Sequence, residues 1–270
     1  MKGSLFCLIL TLSMASAVLP SCSTRIEGTL RQDGSADFSV EASLEPRMTT
    51  LIRSLSRVMG QFSGNPGPGA SGAGGGSAAG AAEVLFDGPG IAKSMTAAPG
   101  VASANFSNTG PAAITGTIGL SRVDAFLAAP VLSAGSAGSG GGTGGDGGGS
   151  RFIRYESDGR LLFTVDRGSG PLLLSLFSQD ISDYLSALMA PVVTGETLGK
   201  TEYLNLVASF YGRPLADEIA ASRINIAIDF PRPITAIRGG TARGSRAQFA
   251  VPLLDLLVLE SPLTYEVVWK

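Results

Sequence analysis

The stretch from Arg25 to Leu44 reads RIEGTLRQDGSADFSVEASL, and its spacing decides the fold. Ile26, Gly28 and Leu30 alternate with Arg25, Glu27, Thr29 and Arg31, the period of a strand with one face buried. Asp33-Gly34 stands where a tight hairpin needs positive φ, and Ala36, Phe38, Val40, Ala42 and Leu44 carry the alternation back along a return strand. After Glu45-Pro46 the period changes. Met48, Leu51, Ile52, Leu55, Val58 and Met59 fall on one helical face, and Gly60 stops it. One hairpin and one helix cannot build a core by themselves, so this unit must pack against later parts of the chain.

The later sequence repeats the theme. Phe152 to Glu156 and Leu161 to Asp166 flank a second Asp-Gly turn, Ser157-Asp158-Gly159-Arg160. Helices are expected over Leu172 to Phe177, Ile181 to Met189, Glu202 to Tyr211 behind a Thr201 cap, and Pro214 to Ala221 with proline in the first turn. Strand periodicity returns at Ile224, Ile226, Ile228 and Phe230, with Ile234 to Arg238 expected to pair with that strand across Pro231-Arg232-Pro233. Arg246 to Val251, a short apolar helix through Leu253 to Leu257, and a closing strand over Leu263, Tyr265, Val267 and Trp269 complete the chain. Between the two rich regions lie weaker strands, Val101 to Ser107 and Ala113 to Gly119, joined through Asn108-Thr109-Gly110-Pro111 and followed by a helix over Ser121 to Ala128.

Two stretches dominated by Gly, Ala and Ser, 61–82 and 133–150, lack the apolar surface to offset chain entropy and are expected to be disordered insertions. They divide the chain into a signal at 1–21, a hairpin and helix at 22–60, a middle piece at 83–132 and a closing region at 151–270. Residues 22–270 are expected to form one composite α+β domain, antiparallel hairpins forming a sheet with helices packed on one face.

The chemistry is bounded by absences. The formal charge of the 270-residue chain is −2 and neither sign is clustered, which argues against a nucleic-acid partner. With no histidine there is no Ser-His or Cys-His pair, no imidazole base and no common zinc site. Of the two cysteines, Cys7 lies in the apolar opening segment, so loss of that segment leaves only Cys22 and no internal disulfide. Gly67-Pro68-Gly69-Ala70-Ser71-Gly72 and Gly140-Gly141-Gly142-Thr143-Gly144-Gly145 match a dinucleotide fingerprint in letters only, since neither follows a strand or opens a helix. No Walker loop, nucleophile elbow or Ser-x-x-Lys motif occurs, and neither a catalytic residue, a cofactor nor a metal is assigned. Asp180, Asp183, Glu196 and Glu202 are the carboxylates from which a hydrolytic acid/base pair would be drawn. Tyr203, Phe210 and Tyr211, beside Leu204 and Leu206, are candidates to line an apolar pocket, with core packing as the alternative.

The opening residues read as an export signal: positive Met1-Lys2, apolar Leu5 to Leu12, then Leu19-Pro20-Ser21-Cys22. That tetrapeptide resembles the lipobox of bacterial lipoproteins, with Pro20 departing from the usual small residue in the manner of spirochaete boxes. The resemblance implies a diacylglyceryl group joined to the Cys22 thiol (a palmitate-type anchor), cleavage just before it and acylation of the new amine. Two or three acyl chains hold a protein stably on a bilayer. The alternative is cleavage after Ala15-Ser16-Ala17, releasing a soluble chain with a free Cys22. Ser23 after the cysteine points, by analogy with enterobacteria, to the outer membrane. A cysteine followed at once by a strand, an Asp-Gly-Ser turn and a second strand, over Cys22 to Leu44, also resembles the start of LppM-type lipoproteins of actinobacteria. That likeness implies a membrane-tethered α+β domain and brings no catalytic residues.

The sequence therefore predicts a lipid-anchored protein of the cell membrane or outer membrane, facing periplasm or exterior. Its expected role is noncatalytic, binding an envelope protein or serving structurally. The alternatives are a carrier or sensor of a lipid or other amphiphile, and a histidine-free hydrolase.

Overall fold

The structure is a computed structural model that describes residues 23–50, 85–127, 153–156, 159–167, 189 and 195–270. The expected signal, Cys22, both glycine-rich stretches, the helix expected at 172–177 and, apart from Met189, the helix expected at 181–189 lie outside the described residues, as does most of the helix expected after Met48, whose described part is helical at 46–50.

The strands are β1 (Ser23–Leu30), β2 (Ala36–Ser43), β3 (Val101–Gly110), β4 (Ala113–Leu120), β5 (Ile153–Glu156), β6 (Arg160–Val165), β7 (Arg223–Asp229), β8 (Ile234–Arg238), β9 (Thr241–Arg243), β10 (Arg246–Pro252) and β11 (Leu263–Trp269). The helices are α1 (Gly88–Thr96), α2 (Val123–Leu127), α3 (Lys200–Tyr211), α4 (Arg213–Ala221) and α5 (Leu253–Val258). The α+β class holds, but the strands form two sheets rather than one. A seven-stranded sheet runs in the order β3-β4-β2-β1-β7-β10-β9, and a four-stranded sheet in the order β5-β6-β11-β8.

The opening hairpin forms as its alternation demands, with Ile26 opposite Val40, Gly28 opposite Phe38 and Leu30 opposite Ala36. Gly34 takes φ of 81°, and Asp33 accepts the Ser35 backbone and hydroxyl hydrogens at 2.9 and 2.7 Å, which fixes the turn. Against the expectation of antiparallel hairpins alone, β1 also lies parallel to β7, Ser23 beside Arg223 and Ile26 beside Ile226. The expected pairing of Ile234 to Arg238 with the preceding strand does not occur. The Pro231-Arg232-Pro233 corner carries β8 out of the large sheet to pair with β11, and β7 pairs with β10 instead. Two smaller differences have local causes. β3 continues through Asn108 to Gly110, so the turn falls on Pro111-Ala112. α3 starts earlier than a Thr201 cap would set: Gly199 is its N-cap, and the Glu202 carboxylate accepts the Gly199 N–H at 3.1 Å, half of a capping box completed without a side chain at the cap.

Two cores stabilise the body. Leu30, Ala36, Leu120, Val123, Phe230, Ala247, Phe249, Val267 and Trp269 are buried between the sheets, where Trp269 has its ring centroid 4.6 Å from that of Phe230 and stacks on Tyr155 at 6.2 Å. The second core belongs to the helices: Met48, Val165, Met189, Tyr203, Val207, Leu215, Ala216, Ile219 and Leu257 to Leu259 are buried there. α3 contributes positions 203 and 207, one turn apart, and α4 contributes 215, 216 and 219, so each helix gives this core one stripe.

The two cores occupy opposite ends of the molecule, as chain direction shows. β1 starts at Ser23, β2 ends at Ser43, β7 starts at Arg223 and β10 ends at Pro252, all at one end of the large sheet. The chain passes from there directly into Met48 and α5, and arrives there from α4; the Leu253 N–H donates to the Ser222 carbonyl at 3.0 Å across the junction. Val165 and Leu263, paired at one end of the small sheet, border the same helical core. Helices therefore cap the end of the sandwich where β1 begins. The Gly34 turn, α2 and Trp269 lie toward the other end.

Candidate functional site

Two surfaces stand out. The first is the outer face of the large sheet. Because strand side chains alternate, the residues between the core positions of β1, β2, β3, β4, β7 and β10 share that face. In register across it, Glu27 pairs with Ser39, Ser39 with Thr117 and Thr117 with Asn105, while Arg25 pairs with Glu41, Glu41 with Thr115 and Thr115 with Ser107. The face is rich in hydroxyl, amide and charged groups, and most of it is exposed. It carries two shallow depressions. One, of about 510 Å³, is bordered by Arg25, Glu41, Thr115 and Asn225, and the other, of about 450 Å³, by Thr29, Asp37, Ser103, Thr117 and Arg246.

Charge on this face is internally balanced. Arg246 reaches Asp229 at 2.6 Å and Glu27 at 3.2 Å, and Glu27 also accepts from Arg25 at 2.7 Å. The hydrogen bond and charge of Arg25 hold the Glu27 carboxyl below the usual carboxylate range, with Arg246 adding to the effect. An ionised carboxylate already shared by two guanidinium groups is a poor general base. This surface can hydrogen-bond a polar ligand or partner; it shows no activated nucleophile.

The second surface is on α3. Tyr203 is 2% exposed inside the helical core, and burial pushes its phenol well above the ordinary value. Phe210 is 74% exposed and Tyr211 43%, and Leu206, one turn before Phe210, is 47% exposed. Tyr203 and Phe210, two turns apart, lie on nearly the same side of the helix, but the first is buried and the second, in the last turn, is exposed; Phe210 and Tyr211 touch each other, with ring centroids 6.4 Å apart. Of the four carboxylates considered for hydrolysis, Asp180 and Asp183 lie outside the described residues, Glu202 serves the α3 cap, and Glu196 is exposed with its backbone carbonyl accepting from Arg167 at 2.8 Å. Among the described residues no group of three acidic or cysteine side chains is placed to hold a metal ion, and no helix is long and apolar enough to cross a membrane.

The exposed end of α3 had no separate signature in the sequence: Tyr203, Phe210 and Tyr211 were grouped as aromatic residues, and nothing local shows that the core ends before Phe210.

No family model matches the chain, and no curated protein matches it. Among solved structures, it is similar to the NMR structure of the folded domain of Mycobacterium tuberculosis LppM, at 9% identity and a TM-score of 0.37, over 94% of each chain.

Proposed function

We propose that this chain is an envelope lipoprotein, tethered to the cell membrane or outer membrane through acylated Cys22, with a noncatalytic binding or structural role toward an envelope partner. The observation that carries the reading is the position of Ser23: it is already paired in the large sheet with both Ser43 and Arg223. A lipid on the residue before it would hold the body against the bilayer with no slack, since one residue spans only about 3.5 Å. The polar sheet face, with Glu27 and Asp229 paired to Arg25 and Arg246, suits recognition of a protein or other polar partner better than catalysis.

Metabolic labelling with palmitate tests the anchor. Label is expected on the unsubstituted protein in the membrane fraction and absent from Cys22→Ser, which should move to the soluble fraction. A soluble, unlabelled mature chain beginning at Val18 would overturn the reading.

A further inference from the structure

We propose that Leu206, Phe210 and Tyr211 form a bilayer-docking surface whose side chains enter the headgroup region of the same membrane that holds acylated Cys22; the inference rests on the lipoprotein reading above. Three large apolar residues, 47%, 74% and 43% exposed, follow one another at the end of one helix, Leu206 one turn before Phe210 and Phe210 touching Tyr211, and they are the large hydrophobic residues that stand out in solvent among those described. Singly exposed apolar residues need no explanation, but a contiguous group does.

The occupant follows from where the group sits. α3 is part of the helical cap, packed through Tyr203 and Val207 onto the core that closes the end of the sandwich where β1 begins. The link to the anchor can be traced through α4. That helix starts at Arg213, two residues beyond Tyr211, and ends at Ala221; Ser222 then leads into Arg223, the neighbour of Ser23. Nine helical residues span about 14 Å, so a bilayer reached by acyl chains on Cys22 lies within about one helix length of the stripe. Tyrosine and phenylalanine at the end of a surface helix suit the headgroup boundary, where an aromatic body is buried and a hydroxyl stays wet. A second copy of the chain, or one of the chain's own segments outside the described residues, would have to compete with a surface held permanently at this end.

The test uses the full chain as the cell makes it, extracted in detergent and returned to vesicles of phosphatidylethanolamine and phosphatidylglycerol. Phe210→Trp places an indole in the stripe, and the natural Trp269, 4% exposed in the far core, is the internal control. The expected result is a blue-shifted emission from the new indole and loss of its intensity when the acyl chains are brominated, with the Trp269 signal unchanged. Leu206→Ser with Tyr211→Ser in that background should reverse both effects while the protein stays in the membrane fraction. An indole open to iodide in a protein that still partitions with membranes would overturn the docking surface and leave the anchor standing. A blue shift without bromolipid quenching would assign the stripe to a protein neighbour, which also overturns it. Release of the protein from vesicles, with Cys22 unmodified by mass spectrometry, would instead locate the failure in the lipoprotein reading.

Discussion

Ser23 and Arg223 lie side by side as the first residues of two parallel strands, although two hundred positions separate them. Through this contact the opening hairpin becomes the middle of a seven-stranded sheet rather than its edge, with β2, β4 and β3 on one side and β7, β10 and β9 on the other. The residue that precedes Ser23 therefore joins the chain at the centre of the large sheet.

A central β1 leaves little room for growth on its inner face. Gly28 lies opposite Phe38 and beside Ile228, and a Cβ at Gly28 would overlap the Phe38 ring. Gly28→Val is expected to destabilise the protein by about 1–3 kcal/mol through overpacking. Thermal unfolding followed by circular dichroism should show a lower midpoint, and Phe38→Ala in the Gly28→Val background should recover part of the loss, a coupling that independent sites would lack.

The two faces of the helical cap should respond oppositely. Ile219 of α4 has no exposed surface, so Ile219→Ala is expected to lose about 2–5 kcal/mol from the lost burial and the cavity left behind. Phe210, mostly in water, makes Phe210→Ser close to neutral for folding, within about 0.5 kcal/mol. Chemical denaturation of both variants checks the contrast; equal losses would mean that Phe210 is packed rather than exposed.

Acid sensitivity should be traceable to the sheet face and its turn. Glu27 has its carboxyl held low by Arg25 and then Arg246, and Asp33 has its own held low by the Ser35 hydroxyl and N–H. A group whose pKa is lower folded than unfolded stabilises above the unfolded value, and that stabilisation disappears as pH falls through the folded one. Stability should thus be flat at neutral pH and fall below the ordinary carboxylate range near pH 4. Both groups face solvent, so the effect should be small and weaken further in salt. Glu27→Gln should flatten the acid limb of a denaturation-midpoint against pH curve by lowering its neutral plateau slightly, while the midpoints at the acid end stay little changed.

The sequence showed elements better than their partners, for reasons visible at particular residues. The β1–β2 and β5–β6 hairpins were legible because an Asp-Gly turn and period-two burial are local signals. The parallel β1–β7 contact was not, since nothing within either strand names a partner two hundred residues away. β8 was assigned to the strand beside it in sequence, whereas the proline corner turns it toward β11 and so creates the second sheet. α1 went unread because its segment, GPGIAKSMT, begins with two glycines and a proline. The Asp87 side chain accepts the Gly90 N–H at 2.9 Å, while the Asn108 amide donates to the Phe86 carbonyl at 2.6 Å and accepts from the Gly88 N–H at 3.3 Å. That support comes partly from twenty residues away. At the candidate surfaces the aromatic residues of α3 were legible as a group, but their division between core and solvent depends on where α4 packs.

Gly159 offers a sharper test of how the small sheet is closed. Its φ is 108°, a region that L side chains rarely adopt, and it closes the β5–β6 turn by donating to the Glu156 carbonyl at 3.1 Å. Its own carbonyl accepts the Trp269 N–H at 2.8 Å, and a Cβ at this position would overlap the Trp269 carbonyl oxygen. Gly244 has φ of 62° with open space where a Cβ would go, so Gly244→Ala carries the backbone penalty alone, about 1 kcal/mol. Gly159→Ala should exceed that, because the end of β11 must move and with it the ring packed on Tyr155 and Phe230. As the chain holds a single tryptophan, its emission reports the movement directly. A red shift and a larger stability loss are expected for Gly159→Ala, with the emission of Gly244→Ala unchanged. Equal losses and identical spectra in the two variants would show that the Gly159 to Trp269 contact does not hold the sheet closed.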